Sequence, residues 1–169
     1  MSSLLRVNEI RTTSGNVRRF QTYAIICDEK SSNTDGGTFS SGAWRTRDLN
    51  TKIFDPDNIV SISSNQFTLN AGSYFIKAYA SATEVNRHQT RLYNVTGSSV
   101  VEVGSSEYTS SSAGYAGNKS FVNARVTITG STAFELQHRC HTSRSNDGYG
   151  LGADWGNPRF SMVEIYKEG

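Results

Sequence analysis

The chain has few cysteines, the residues that can crosslink a small protein covalently, and it has no long apolar run. Its two cysteines, Cys27 and Cys140, could form one bridge, but an isolated pair so far apart is more typical of buried thiols. No apolar stretch approaches the roughly 20 residues that a membrane-spanning helix needs. The first residues lack the charged, apolar and small-residue succession of a signal peptide. We therefore expect a protein made in the cytoplasm without this export route and without membrane insertion.

The chain also lacks a strong excess of charge of either sign. Its formal net charge is +2, and its basic residues are scattered through the sequence without forming a block. Proteins that bind nucleic acid usually concentrate Lys and Arg on one face or in one run. The sequence therefore predicts no nucleic-acid partner.

Motifs that accompany catalysis are missing as well. The sequence contains no Gly-x-Ser-x-Gly elbow, no His-Glu-x-x-His pair and no phosphate-binding Gly-Lys-Ser/Thr loop, and its three histidines have no acid partner nearby in sequence. We expect a protein that is not an enzyme and that carries no cofactor.

Two groups of residues raise the question of a metal. His138, Cys140 and His141 are close in sequence, but alternation along a strand sends His141 to the face opposite the other two. The acidic residues Asp28 with Asp35, and Asp55 with Asp57, follow no defined calcium-ligand spacing, and Asp is common in turns. We predict a packed inner face for the first group, turn roles for the second, and no metal.

The sequence does contain regular strand patterns. Residues 67–166 form successive period-two segments separated by Gly, Ser and Asn, and no helical stripe interrupts them. An apolar content of 36% and an aromatic content of 11% suffice for the core of one domain. These features predict a single all-β sandwich.

Three of these segments have two unlike faces. In residues 73–82, Tyr74 and Ile76 begin a face that is otherwise alanine, and residues 121–129 and the last strand repeat such an apolar face. Their other faces mix aromatics, Met and charges, a composition typical of a subunit interface. The alternative is a monomer with scattered surface aromatics. The predicted interface residues are Phe75, Lys77, Tyr79, Phe121, Arg125, Phe160, Met162, Glu164 and Tyr166.

Four stretches of the sequence carry a resemblance to a known family: FTLNAGSY at 67–74, RLYN at 91–94, FELQHRC at 134–140 and VEIYK at 163–167. They resemble the trimeric jelly roll of complement globular heads and tumour necrosis factors, above all its version in bacteriophage tail-fibre and virion proteins. The segment LRVNEI at 5–10, with Gly15 after it, is similar to one that often opens phage fibre proteins. The chain departs from the family because it has no collagen-like stalk and no long fibre shaft.

This resemblance implies a ten-strand antiparallel jelly-roll sandwich, homotrimeric about a three-fold axis, over residues 20–169. Residues 1–19 would be an arm that docks into other virion proteins through Leu5, Val7 and Ile10. The protein would assemble in the host cytoplasm and be exposed on the virion.

Long connections of a rigid sandwich are where a ligand surface is expected. Residues 105–119 present tyrosines among small residues, and residues 143–158 combine aromatic, acidic, amide and arginine side chains among glycines, a set suited to sugars. The alternative for the second loop is that its glycines serve backbone turns and its Trp packs at the trimer base or axis. The predicted ligand residues are Tyr108, Tyr115, Arg144, Asn146, Asp147, Tyr149 and Trp155.

Two functions follow from these expectations. The first is a non-enzymatic tail-fibre or adhesin knob that binds a host-surface glycan or protein through three weak sites combined by avidity. The second is a capsid-decorating or fibre-anchoring protein that docks through its arm and need bind nothing else.

Overall fold

The structure, a computed structural model, describes residues 22–112, 114, 116–153 and 155–168. It also describes the backbone of two short strands nearer the N-terminus, β1 (Ile10–Arg11) and β2 (Val17–Arg18), which pair antiparallel. These residues contain no helix, and therefore none long and apolar enough to cross a membrane.

Two antiparallel sheets form the body of the domain. Its strands are β3 (Thr22–Glu29), β4 (Arg45–Thr46), β5 (Thr51–Phe54), β6 (Val60–Ser63), β7 (Gln66–Leu69), β8 (Gly72–Thr83), β9 (Asn86–Asn94), β10 (Ser99–Thr109), β11 (Gly117–Ile128), β12 (Thr132–Cys140) and β13 (Arg159–Lys167). The five-stranded sheet has the order β11-β8-β13-β3-β5. The six-stranded sheet has the order β10-β9-β12-β7-β6, and the two-residue β4 pairs with β12. Without β4, the two sheets hold ten strands, which confirms the predicted ten-strand sandwich.

The core lies between the sheets, where the alternation of the sequence places it. Tyr74 and Ile76 of β8 are buried with the alanines that follow them, and the apolar residues of β11 and β13 lie beside them. From the other sheet, Phe67 and Phe134 are fully buried and stack with ring centroids 5.5 Å apart, because β7 and β12 place them opposite each other. The inward faces predicted for β8, β11 and β13 are confirmed.

Two connections shape the ends of the sandwich. Residues 38–49 form a loop that contains only β4 and one bridge, between Phe39 and Arg144. Phe39 of this loop is fully buried in a small second cluster with Val85 and Cys140, and this contact anchors the loop to the sandwich. The connection expected over residues 105–119 is shorter, since β10 runs to Thr109 and β11 begins at Gly117.

One predicted interface residue lies on the wrong side of its strand. Phe160 is only 3% exposed, because an irregularity in the pairing of β13 with β3, between Arg159 and Ser161, shifts the alternation by one residue. Its ring packs against the backbone at Gly150, where an added Cβ would collide with it. Phe160 is therefore a core residue.

Candidate interaction surfaces

Two groups of aromatic side chains, one of four rings and one of two, lie on the outer face of the five-stranded sheet. Neighbouring rings lie 4.7 Å apart for Phe54 and Tyr23, 5.9 Å for Tyr23 and Tyr166, 6.5 Å for Tyr166 and Phe75, and 5.9 Å for Tyr79 and Phe121. We call these six residues the aromatic band: Phe54, Tyr23, Tyr166, Phe75, Tyr79 and Phe121.

Strand register explains why these rings meet. Tyr166 of β13 lies opposite Tyr23 on one side and Phe75 on the other, and Phe121 of β11 lies opposite Tyr79 of β8. Directly opposite residues on one face of an antiparallel pair have close Cβ atoms, so their side chains pack. The band is thus fixed by backbone pairing.

The band is open to solvent. Phe121 is 51% exposed, and Phe54, Phe75 and Tyr23 are exposed as well. Groups of exposed aromatics on one sheet face are unusual for a surface that meets only water, and they mark interaction sites. The aromatic band is therefore the strongest candidate interface in the described part of the chain.

Charges beside the band are paired within the chain. Lys77 Nζ lies 3.4 Å from Glu164 Oε2, which also accepts a 2.7 Å hydrogen bond from the Tyr166 hydroxyl. Arg125 donates to both carboxylate oxygens of Glu168, and this bidentate bond raises the pKa of the guanidinium. Paired charges can enter an interface with less desolvation cost than lone ones.

Eight of the nine predicted interface residues lie on this face, and Phe160 is the exception. That subunits meet here stays a prediction. Sequence reasoning missed Tyr23 and Phe54. Tyr23 and Ile25 alternate with the buried Ala24, so the two-faced pattern was present in β3 as well. Phe54 ends a four-residue strand, which is too short to reveal a face.

Loop residues 143–158 bring some predicted ligand residues together but turn them inward. Arg144 donates to both carboxylate oxygens of Asp147, at 2.6 and 2.9 Å, and also pairs with the buried Glu84. Asp147 is buried, and the hydrogen bonds from Arg144 lower the pKa of its carboxyl. These bonds fasten the loop and occupy the Asp147 carboxylate, while the Arg144 side chain stays 35% exposed. That the two residues bind a ligand stays a prediction.

The other predicted ligand residues of this loop differ in their exposure to solvent. Tyr149 is half-buried, with its ring 4.5 Å from that of Phe39 and 3.9 Å below the guanidinium carbon of Arg47. Asn146 is exposed in the left-handed region at φ 68°. Trp155 is 95% exposed, so within one chain it packs against nothing substantial.

The remaining predicted ligand residues and the predicted arm residues lie outside this loop. Tyr108 is 62% exposed but lies within β10 rather than in a loop. Tyr115, Leu5 and Val7 lie outside the described residues, and only the backbone of Ile10 is described, in β1.

The predicted packing of His138 and Cys140 is confirmed, since both are buried and His141 is exposed. His138 Nε2 lies 2.9 Å from Nδ1 of His88, whose Nε2 lies 2.6 Å from Asn118 Oδ1. Because Asn118 Oδ1 can only accept, we assign the His88 proton to Nε2 and a donated Nε2–H to His138, with both rings neutral. Burial raises the pKa of the Cys140 thiol to about 11, and Cys27 is also a free buried thiol.

Protonating this histidine pair should be costly. His138 Nδ1 has no hydrogen-bond partner, so a proton there would add an unpaired buried donor. Burial lowers the pKa of His88. Burial and the positive charge of Arg47, with that of His88 when it is protonated, lower the pKa of His138 well below 6.5. The unfolded chain then binds more protons as the pH falls through about 6.5, so acid destabilises the fold.

We predict that the free energy of unfolding falls by an amount on the order of 1 kcal/mol through His138 between pH 7.5 and 5.5. Denaturant unfolding at the two pH values measures this loss. The variant His138→Gln should show a correspondingly smaller pH dependence, and His141→Gln, at an exposed position, should keep the wild-type dependence. Equal pH dependence in wild type and His138→Gln would contradict the assignment.

Asp55 and Asp35 bond the backbone of turns and loops as predicted, whereas the turn role predicted for Asp28 is wrong, because Asp28 is buried within β3. Asp55 Oδ1 accepts a 2.8 Å bond from the Ile59 amide across the turn, and Asp35 Oδ1 accepts one of 2.8 Å from Gly152. Asp28 pairs with Lys30 at 3.1 Å. Among the described residues, no three His, Cys, Asp or Glu side chains cluster as metal ligands would.

The sequence matches no protein-family model and no curated protein. Solved structures are similar in fold. Eiger TNF from S. frugiperda aligns with a TM-score of 0.59 at 12% identity, over 89% of this chain and 94% of that one. Murine APRIL aligns at 0.57 and 6% identity, over 88% and 100%, and the globular domain of zebrafish complement 1qA at 0.50 and 16%, over 87% and 96%.

These similarities confirm the TNF/C1q-like jelly roll that the sequence resemblance implied. Domains of this fold commonly form trimers. Sequence identities this low show only a shared fold, so the bacteriophage part of the resemblance stays a prediction.

Proposed function

We propose that this chain forms a non-enzymatic homotrimeric knob on a bacteriophage virion, in a tail fibre or adhesin, that binds the host cell surface. The observation that carries the proposal is the exposed aromatic band on the outer face of the five-stranded sheet. In the proposed trimer this face lies toward the three-fold axis, and each subunit buries the band against its neighbours.

Chemistry and fold both support this arrangement. Aromatic residues and Met are enriched in subunit interfaces, and Met162 of β13 lies directly opposite Tyr79 of the band. The fold is one in which trimers are common. The virion location is supported by the sequence resemblance to phage fibre proteins, including the segment with Leu5, Val7 and Ile10.

Host binding is assigned to surfaces that the trimer would leave open. Among the described members of the predicted ligand set, Tyr108 and Trp155 are the most exposed aromatics. Three copies of a weak site on one rigid body would act together on a cell surface, where avidity can exceed the single-site affinity by about 10² to 10⁴.

Saturable binding of the labelled full chain to bacterial host cells tests the function. We expect the trimer to bind and to block adsorption of the phage that carries it. A variant that no longer assembles should bind at least about 100-fold more weakly, because it keeps each site and loses avidity. A trimer that binds no host cells would overturn the adhesin function and favour the decorating or anchoring alternative.

A further inference from the structure

A cleft of about 400 Å³ opens on the outer face of the six-stranded sheet, on the side of the sandwich opposite the aromatic band. Strands β9 and β12 form its floor, β10 forms one wall, and the loop before β4 forms the other. Its volume lies in the range of small-molecule sites. The residues that matter for its chemistry are Trp44, Arg87, Gln89, Ser106, Arg139 and His141.

Strand register brings two arginines together in this cleft. Arg139 of β12 lies directly opposite Gln89 of β9, and Arg87 is two residues before Gln89, so it points to the same face. Diagonal neighbours on one face of paired strands have Cα atoms roughly 7–8 Å apart, which is within reach of long side chains. Both guanidinium groups can therefore contact one ligand.

The charge of these arginines is not neutralised by the protein. Among the described residues neither Arg87 nor Arg139 forms an ion pair, whereas Arg125, Arg144 and Arg159 each do. The carboxylate on the same face, Glu135, accepts hydrogen bonds from Thr46, Gln66 and Gln137. Exposed arginines gathered on one face without counter-charge are suited to an anion.

Aromatic and polar groups complete the cleft. Trp44 lies with its ring 4.2 Å from the guanidinium carbon of Arg91, which holds the indole against the sheet. The loop that carries Trp44 is fastened, because the Ser41 amide donates a 2.9 Å bond to Ser143 Oγ. Gln89 and Ser106 add an amide and a hydroxyl. Because the loop that carries Trp44 is already ordered, a ligand that binds against it costs the protein little conformational entropy.

We infer that this cleft binds a saccharide that carries a carboxylate or a sulfate group. The arginines would hold the anionic group, Trp44 would supply apolar surface to the sugar ring, and Gln89 and Ser106 would bond its hydroxyls. The inference rests on the proposed function, because it adds a second host-binding site to the surfaces of Tyr108 and Trp155 and names the chemistry of its ligand. A trimer built on the opposite sheet leaves the cleft accessible.

Calorimetric titration of the full chain tests the inference with four probes: a galacturonic acid trisaccharide, a sulfated galactose trisaccharide, a neutral galactose trisaccharide and sodium sulfate. We expect at least one charged trisaccharide to bind and the neutral one to bind at least about tenfold more weakly. The variants Arg87→Gln and Arg139→Gln should each weaken the charged probe about tenfold or more.

The matched control is Lys52→Gln, which removes one positive charge from β5 in the other sheet and should leave binding unchanged. Both arginines are exposed, so their substitution should not unfold the chain. Unchanged binding in both arginine variants, no binding of either charged trisaccharide, or sulfate binding as tight as that of the charged sugars would overturn the inference.

Cell binding separates this inference from the proposed function. If the trimer binds host cells but no charged trisaccharide, the inference fails and the adhesin function stands. If charged trisaccharides bind through the two arginines while no host cell is bound, the cleft stands and the adhesin function fails.

Discussion

Replacing both Phe75 and Phe121 by aspartate should convert the purified protein from a trimer to a monomer. Both side chains are exposed in the single chain, so the substitutions leave the core intact. In the proposed trimer they would place two carboxylates from each subunit in an apolar contact. Burying a charge without a partner costs several kcal/mol, enough to abolish a non-covalent assembly at micromolar concentration.

The control for this prediction is the double variant Val100→Asp and Val103→Asp. These valines are about as exposed as the two phenylalanines but lie on β10 of the six-stranded sheet. Light scattering should show the wild-type mass for this control and the mass of one chain for the aromatic variant. An aromatic variant that keeps its circular dichroism spectrum and its trimeric mass would remove the band from the interface.

Substitution of Arg47 by alanine should lower the free energy of unfolding by about 3 kcal/mol. Arg47 is 1% exposed and is the largest fully buried side chain described. Its guanidinium donates to the carbonyl oxygens of Ser81 and Tyr149 at 3.2 Å and of Phe160 at 3.4 Å. It thereby ties the 143–158 loop to β8 and β13. Alanine would leave three buried acceptors without this donor and would open a cavity.

Burial disfavours the charge of Arg47 but does not remove it. Burial lowers the pKa of the guanidinium to about 10, which still leaves it protonated at neutral pH. The variant Arg47→Lys keeps a charge and donors but loses the planar fork, so its loss of stability should be smaller than that of alanine. Denaturant unfolding of the two variants and of the exposed control Lys52→Ala measures these differences. An alanine variant within about 0.5 kcal/mol of wild type would show that the three contacts are not stabilising.

Period-two alternation was the sequence signal that succeeded. It placed Tyr74 and Ile76 in the core and Phe75 and Tyr79 on the outer face, because a strand allows only two faces and one of them must be dry. It failed at Phe160, where an irregularity in the pairing inverts the faces, since nothing in the local sequence marks the extra residue. The fold could be predicted because many strands repeat one simple rule.

Contacts between segments that are distant in sequence could not be predicted from period-two alternation. Arg47 sits in a polar stretch that gave no sign of burial, and its partners are carbonyl oxygens, which every residue carries. Arg144 and Asp147 have a composition suited to a ligand, yet they pair with each other. The cleft joins Trp44 to arginines of β9 and β12, which only the sheet register brings together.

The mass of the purified full chain in solution tests the central claim most directly. One chain has a mass of 18.5 kDa. A trimer packed through the aromatic band predicts three times this mass by light scattering, unchanged on dilution through the micromolar range. A mass of 18.5 kDa under the same conditions would contradict the account, because the aromatic band would then be an exposed surface with no second subunit to cover it.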